Sequence, residues 1–206
     1  LVRRGTRFFE KNQKATAEKI FEQVLKARGL TTALECEARF LRAQAAFKQK
    51  PRARLAPLFE AALKPCQKAK DEDKVAKSLY QGGRAFTSRG DSRRALELLE
   101  RVEQEHPRHD YADDARLRRA EVLEDLGQGD EAQQLLASLP DRYPRGDMVG
   151  EALWRLAWRA WKAGRMPEVL RWTAENIQRV PREDVWYAEG RAQYWSARAG
   201  ERQGDH

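Results

Sequence analysis

The chain repeats its punctuation at a fixed interval. HPRHD at 106–110, YPRGD at 143–147 and VPRED at 180–184 set Pro107, Pro144 and Pro181 37 residues apart, and Asp110, Asp147 and Asp184 likewise. Offset by that period, three segments align from residues 73, 110 and 147, and a fourth starts at Asp184 and stops after one helix. Gly90, Gly127 and Gly164 fall in register, as do Gly83, Ala120 and Ala157; a further small column is Ala95 and Ala132, with Val169 in third place. A repeat of this length is one supersecondary unit, too small to bury its own apolar face, so copies must stack.

Each unit reads as two helices. Asp is a good N-cap because its carboxylate accepts from the orphan amides of the first turn. Apolar residues then recur at three and four, as in Leu153, Leu156, Ala157 and Ala160. The glycine column predicts a left-handed or turn residue that stops the first helix. The proline cannot continue the second helix and restrains the residue before it. The small columns let two helices approach closely.

These columns resemble the tetratricopeptide repeat. Its small eighth position matches Gly83, Ala120 and Ala157, its mid-repeat glycine Gly90, Gly127 and Gly164, and its late proline Pro107, Pro144 and Pro181. Its second small position matches Ala95 and Ala132. The period is 37 rather than the usual ~34, and Arg116 and Arg119 stand where that motif wants apolar residues. The resemblance implies an all-α fold, a right-handed α-α superhelix of degenerate tetratricopeptide-like hairpins. Residues 1–72 carry three further apolar stripes at helical spacing, with Pro51 as a turn between the last two. The expected organisation is one solenoid over 1–206: irregular basic hairpins at 1–72, repeats at 73–109, 110–146 and 147–183, and a capping helix at 184–206.

The composition, 41% hydrophobic and 35% charged, suits a folded domain rather than a disordered tail. No apolar run reaches the ~18 residues of a membrane span. The sequence opens LVRRG without Met, which implies a preceding segment that has been removed, any signal peptide with it. Residues 1–70 hold 17 Lys and Arg against 6 Asp and Glu, and residues 71–206 hold 23 against 26. The basic third reads either as solvated helix faces or as an attractor of polyanions.

Cys36 and Cys66 lie 15 residues either side of Pro51, each on an apolar stripe. An antiparallel hairpin turning there brings them level, which allows a disulfide in an oxidising compartment or two buried thiols acting as small hydrophobes. His106 and His109 share a turn with Asp110, but a metal site needs more converging ligands, so no metal and no cofactor are expected. RGD at 89–91 and 145–147 coincides with helix stops and caps. Phosphate loops, nucleophile elbows and paired-ligand motifs are absent.

All six tryptophans fall after residue 153, and Trp154, Trp158 and Trp161 form one helical stripe. In tetratricopeptide proteins the corresponding columns line the concave groove. By that resemblance the groove residues are Tyr80, Arg84, Trp154, Trp158, Trp161, Arg191, Trp195 and Arg198. The indole stripe meets either neighbouring helices or the chain's continuation, or a ligand that stacks on indole, such as a sugar.

The elements Trp154, Arg155, Ala157, Trp158 and Arg191, Tyr194, Trp195, Ala197, Arg198, Ala199 are similar to the superhelical region of soluble lytic murein transglycosylases. That likeness implies a periplasmic, non-catalytic scaffold, with peptidoglycan as partner and the family's own C-terminal catalytic domain beyond these residues. The family's E-S and G-L-M-Q-type catalytic stretches do not occur here, so the expected number of catalytic residues is none. The alternative is a protein-interaction scaffold of the cell envelope, binding envelope proteins. In both readings the chain lies in the periplasm or cell envelope, and neither calls for nucleic acid. A third reading makes the basic third a polyanion binder whose affinity falls linearly with log salt.

Overall fold

The computed structural model describes residues 1–47, 51–180 and 190–204. Among these residues there are eleven α-helices and no strand. They are α1 Val2–Glu10, α2 Lys14–Leu25, α3 Thr32–Phe47, α4 Ala56–Lys68, α5 Glu72–Arg89, α6 Ser92–Glu105, α7 Tyr111–Asp125, α8 Gly129–Arg142, α9 Val149–Lys162, α10 Met166–Arg179 and α11 Arg191–Gln203. None is long and apolar enough to cross a membrane. The chain forms two compact units, Leu1–Ala115 and Arg116–His206, so the division falls inside α7.

The glycine column does what its spacing predicts. Gly90, Gly127 and Gly164 have φ of 84°, 77° and 72°, the left-handed region where a Cβ would be strained. Each closes the same motif, with the amide after the glycine donating to a carbonyl five residues back: Asp91 to Phe86 at 3.0 Å, Gln128 to Leu123 at 2.8 Å and Arg165 to Ala160 at 3.0 Å. Last-turn carbonyls are satisfied in this way and the chain reverses into the next helix. The α6 and α8 helices end at Glu105 and Arg142, two residues before their prolines. The end of α10 at Arg179 keeps that register, although Pro181 itself lies outside the described residues.

The aspartate column behaves less uniformly. The caps with side-chain bonds at the start of α5 and α6 are Asp71 and Asp91, whose Oδ1 atoms accept from Lys74 N at 3.0 Å and Arg94 N at 3.1 Å. Asp110 directly precedes α7, yet the Tyr111 amide donates to His109 Nδ1 at 3.0 Å. Asp147 does not cap α9: that helix is preceded by Met148, with no side-chain bond. Asp184 lies outside the described residues.

In the first unit consecutive helices pack around Phe59, Leu55, Leu79, Leu98 and Leu99, all 0% exposed. Gly83 sets the approach of α5 to α6, since a Cβ there would lie 2.6 Å from Leu99 Cγ. Cys36 on α3 and Cys66 on α4 are joined by a disulfide with Cα atoms 4.6 Å apart, inside this core. The α6–α7 turn is pinned to the start of α5 by His106 Nδ1 at 3.2 Å from Glu72 and His109 Nε2 at 3.4 Å from Asp73. The two imidazoles therefore face different carboxylates.

In the second unit, Leu136 and Leu139 of α8, Leu153 and Leu156 of α9 and Val169 and Trp172 of α10 are buried. Arg116, at a position where the motif wants an apolar residue, reaches from α7 to α8. Its Nε donates to the Leu135 carbonyl at 3.0 Å and Nη2 to Ser138 Oγ at 2.5 Å. A long side chain replaces apolar packing by tying down backbone and hydroxyl acceptors.

Candidate functional site

The α9 helix carries two stripes. Leu153, Leu156, Ala157 and Ala160 are at most 2% exposed and face the core. Trp154, Trp158 and Trp161, one position further round, have more indole area than the core can hold. The α11 helix answers this by placing Trp195 among them. Its ring centroid lies 6.0 Å from Trp154, 5.0 Å from Trp158 and 4.7 Å from Trp161. Trp154 and Trp158 stack at 5.7 Å. Tilted and edge-on pairs of this kind contribute about 0.5–1.5 kcal/mol each beyond the area they bury.

Two arginines close the cluster. The Arg191 guanidinium lies 4.5 Å from the Trp154 centroid and 3.3 Å from Glu151 Oε2, while Arg202 lies 4.6 Å from Trp161. Cation–π contact and ion pairing thus act together at the rim. Trp158 is left 36% exposed, and Tyr194, edge-on to Trp195 at 5.4 Å, is 58% exposed.

Beside the indoles lies a cavity of about 490 Å³, lined by Trp154 and Trp158 together with Glu124, Gly127, Gly129, Glu151, Arg155, Arg159 and Lys162. Its charges are mostly compensated. Arg155 bridges Glu121 at 2.6 Å and Glu151 at 2.9 Å. Arg159 donates to the Gly129 carbonyl at 2.7 Å and faces Glu124 at 3.9 Å and Asp130 at 3.7 Å. A Cβ at Gly129 would lie 2.6 Å from the Arg159 guanidinium and would make that side-chain tip shift. Lys162 is exposed at the end of the row and has no acidic partner among the described residues. The result is a wall of two indole faces with flexible cations and carboxylates around it. Such a lining can stack on planar or apolar groups and exchange its own ion pairs for a ligand's.

Of the eight residues expected in the groove, Trp154, Trp158, Trp161, Arg191 and Trp195 come together here. Arg198 is exposed and pairs with Glu201 at 2.6 Å, apart from the indoles. Tyr80, in the first unit, is 3% exposed. Its hydroxyl donates to Asp114 Oδ1 at 2.7 Å and its ring lies 4.4 Å from Tyr111, so it packs the helices rather than facing a ligand. Arg84 lies 5.4 Å from that ring. The row Arg155, Arg159 and Lys162 was not singled out from the sequence as a site. Its spacing of four and three beside the tryptophan stripe was the available signal.

A tetratricopeptide repeat family model matches residues 86–156, less than half of the chain. No curated protein sequence matches. Among solved structures, a crystal structure of MamA covers 92% of this chain and 91% of its own at 15% identity and a TM-score of 0.67. YrrB, described as a TPR protein with an unusual peptide-binding site, covers 86% and 83% at 16% identity and a TM-score of 0.63. A further MamA structure, from AMB-1, reaches 22% identity with a TM-score of 0.57. At these identities the likeness speaks for the fold: this chain is an all-helical protein built like the tetratricopeptide-type superhelical solenoids, with a tetratricopeptide match across its middle.

Proposed function

We propose that the chain is a tetratricopeptide-type interaction scaffold of the bacterial cell envelope, and that it binds an extended segment of a partner protein along α9. The observation that carries this reading is the cavity beside Trp154 and Trp158, where an exposed indole adjoins Arg155, Arg159 and Lys162. An apolar side chain of a peptide would rest on the indoles, and its backbone carbonyls and carboxylates would take donors from the cations. The peptide-binding site named for YrrB supports the same class of ligand.

The compartment reading rests on the buried Cys36–Cys66 disulfide, because such bonds persist outside the reducing cytosol. Trapping the thiols of the protein as it leaves cells tests this directly. Both cysteines should resist alkylation until unfolded and reduced, and free thiols would end the envelope assignment.

A second reading, the non-catalytic scaffold of a lytic transglycosylase, is favoured by one observation. The two elements that carry that resemblance meet in the Trp154–Trp158–Trp195 cluster. The family match and the solved structures lend it no support. A screen of a random peptide library against glycan strands separates the readings. Enrichment of peptides that is lost with Trp158→Ala supports the scaffold, and binding of glycan alone supports the transglycosylase.

A further inference from the structure

The first unit presents a cationic surface that the groove reading leaves unused. On α1, Arg3, Arg4, Arg7 and Lys11 lie within an arc of about 100° at the helical turn angle. Val2, Gly5 and Phe9 occupy the opposite side, where Gly5 is buried against the Phe21 ring and Val2 and Phe9 pack on the cluster of Ala17, Phe21 and Ala45. All four cations are exposed, or lie at the helix end in the case of Lys11, and none has an acidic partner among the described residues. Lys19 and Lys26 of the neighbouring hairpin arm are exposed and equally without a partner. Glu10, at the edge of the arc, is the one carboxylate of α1. On α9 and α10, by contrast, Arg155, Arg159 and Arg179 each face a carboxylate.

We infer that this face of α1 docks on an anionic phospholipid surface. Its apolar side is already packed within the unit, so attachment is electrostatic and needs no insertion. Nucleic acid is the weaker fit for two reasons. The aromatic residues of α1 are covered rather than offered for stacking on bases, since Phe8 and Phe9 are half-buried with Arg4 at 5.9 Å and Lys14 at 3.2 Å from their rings. The buried disulfide of the same unit also belongs to a compartment without nucleic acid. This choice of partner rests on the envelope reading above, whose thiol-trapping test is independent of vesicle binding.

The test is sedimentation of the whole chain with vesicles of phosphatidylglycerol in phosphatidylcholine, beside pure phosphatidylcholine vesicles and a random-sequence DNA duplex. Binding should require phosphatidylglycerol and weaken as salt rises. Arg7→Glu should lower the partition by about tenfold. Arg145→Glu, an equal charge change at an exposed site of the second unit, should alter it less than about twofold. Circular dichroism checks that both variants keep their helicity. Absence of binding to the anionic vesicles, equal losses in the two variants, or tighter binding to the duplex would each overturn the inference.

Discussion

The two units use aromatic residues and charge in opposite ways. The first carries 25 Lys and Arg against 17 Asp and Glu, and the second carries 15 of each. In the first, Phe21, Phe59 and Tyr80 are at most 3% exposed. There the aromatic side chains build the interior, a disulfide ties two helices, and the exposed face of α1 carries cations without acidic partners among the described residues. In the second, α9 bears more tryptophan than its neighbours can cover, and α11 covers part of the surplus. One hairpin architecture thus serves as a closed, charged module or as a wall with exposed indole. The choice depends on what lies one position round from the core stripe.

If the first unit is a closed core, Phe59→Ala should be the most damaging of the changes considered, at about 3–5 kcal/mol, read from urea unfolding. A cost below about 1 kcal/mol would mean that this core is loosely packed. The disulfide comes next. Its cysteines are separated by 30 residues, and for a loop of that length the chain-entropy account gives about 3–4 kcal/mol for Cys36→Ala with Cys66→Ala. Hydrogen exchange should place that loss in α3–α5 and leave α9–α10 unchanged. Equal loss in both places would break the distinction between the units.

Trp158→Ala should cost less, about 1 kcal/mol, because the residue is already 36% exposed and the loss is mainly that of its ring contacts. A cost above about 3 kcal/mol would assign Trp158 to the core rather than to a binding wall.

The smallest effect concerns pH. Burial alone would push Asp73 up, but the hydrogen bonds and charges of Lys77 and His109 outweigh it and hold the carboxyl below its ordinary 3.8. A depressed carboxylate adds stability above its unfolded value and loses it as pH falls through the folded one. Asp73→Asn should therefore be slightly destabilising at pH 7 and neutral near pH 2. With a side chain 58% exposed, screening keeps the effect below about 0.5 kcal/mol. A larger cost that persisted at low pH would point to packing instead.

Much of this was legible in the sequence, for physical reasons that can be named. The 37-residue period and the glycine column encode backbone conformation, which follows local chemistry. The level placement of Cys36 and Cys66 follows from helix rise and a turn at Pro51. The tryptophan stripe follows from helical angle alone. What escaped depends on long-range contact. Tyr80 is buried because Asp114 and Tyr111 close over it, and neither stands in its repeat column. The Asp147 cap is missing because α9 starts one residue later than the column suggests, with Met148 at the cap position. The cavity wall includes the Arg159 guanidinium bonded to the Gly129 carbonyl, an approach between helices that no spacing rule within one helix reveals.

The measurement closest to the central claim is the affinity of a library-selected peptide for the wild-type chain and for Trp158→Ala at matched helicity, followed by fluorescence titration. If α9 is the docking wall, the variant binds at least ~10-fold more weakly, as expected for loss of an aromatic anchor, and Arg7→Glu binds as the wild type does. Unchanged affinity in Trp158→Ala, with the peptide still bound to the folded protein, would contradict it.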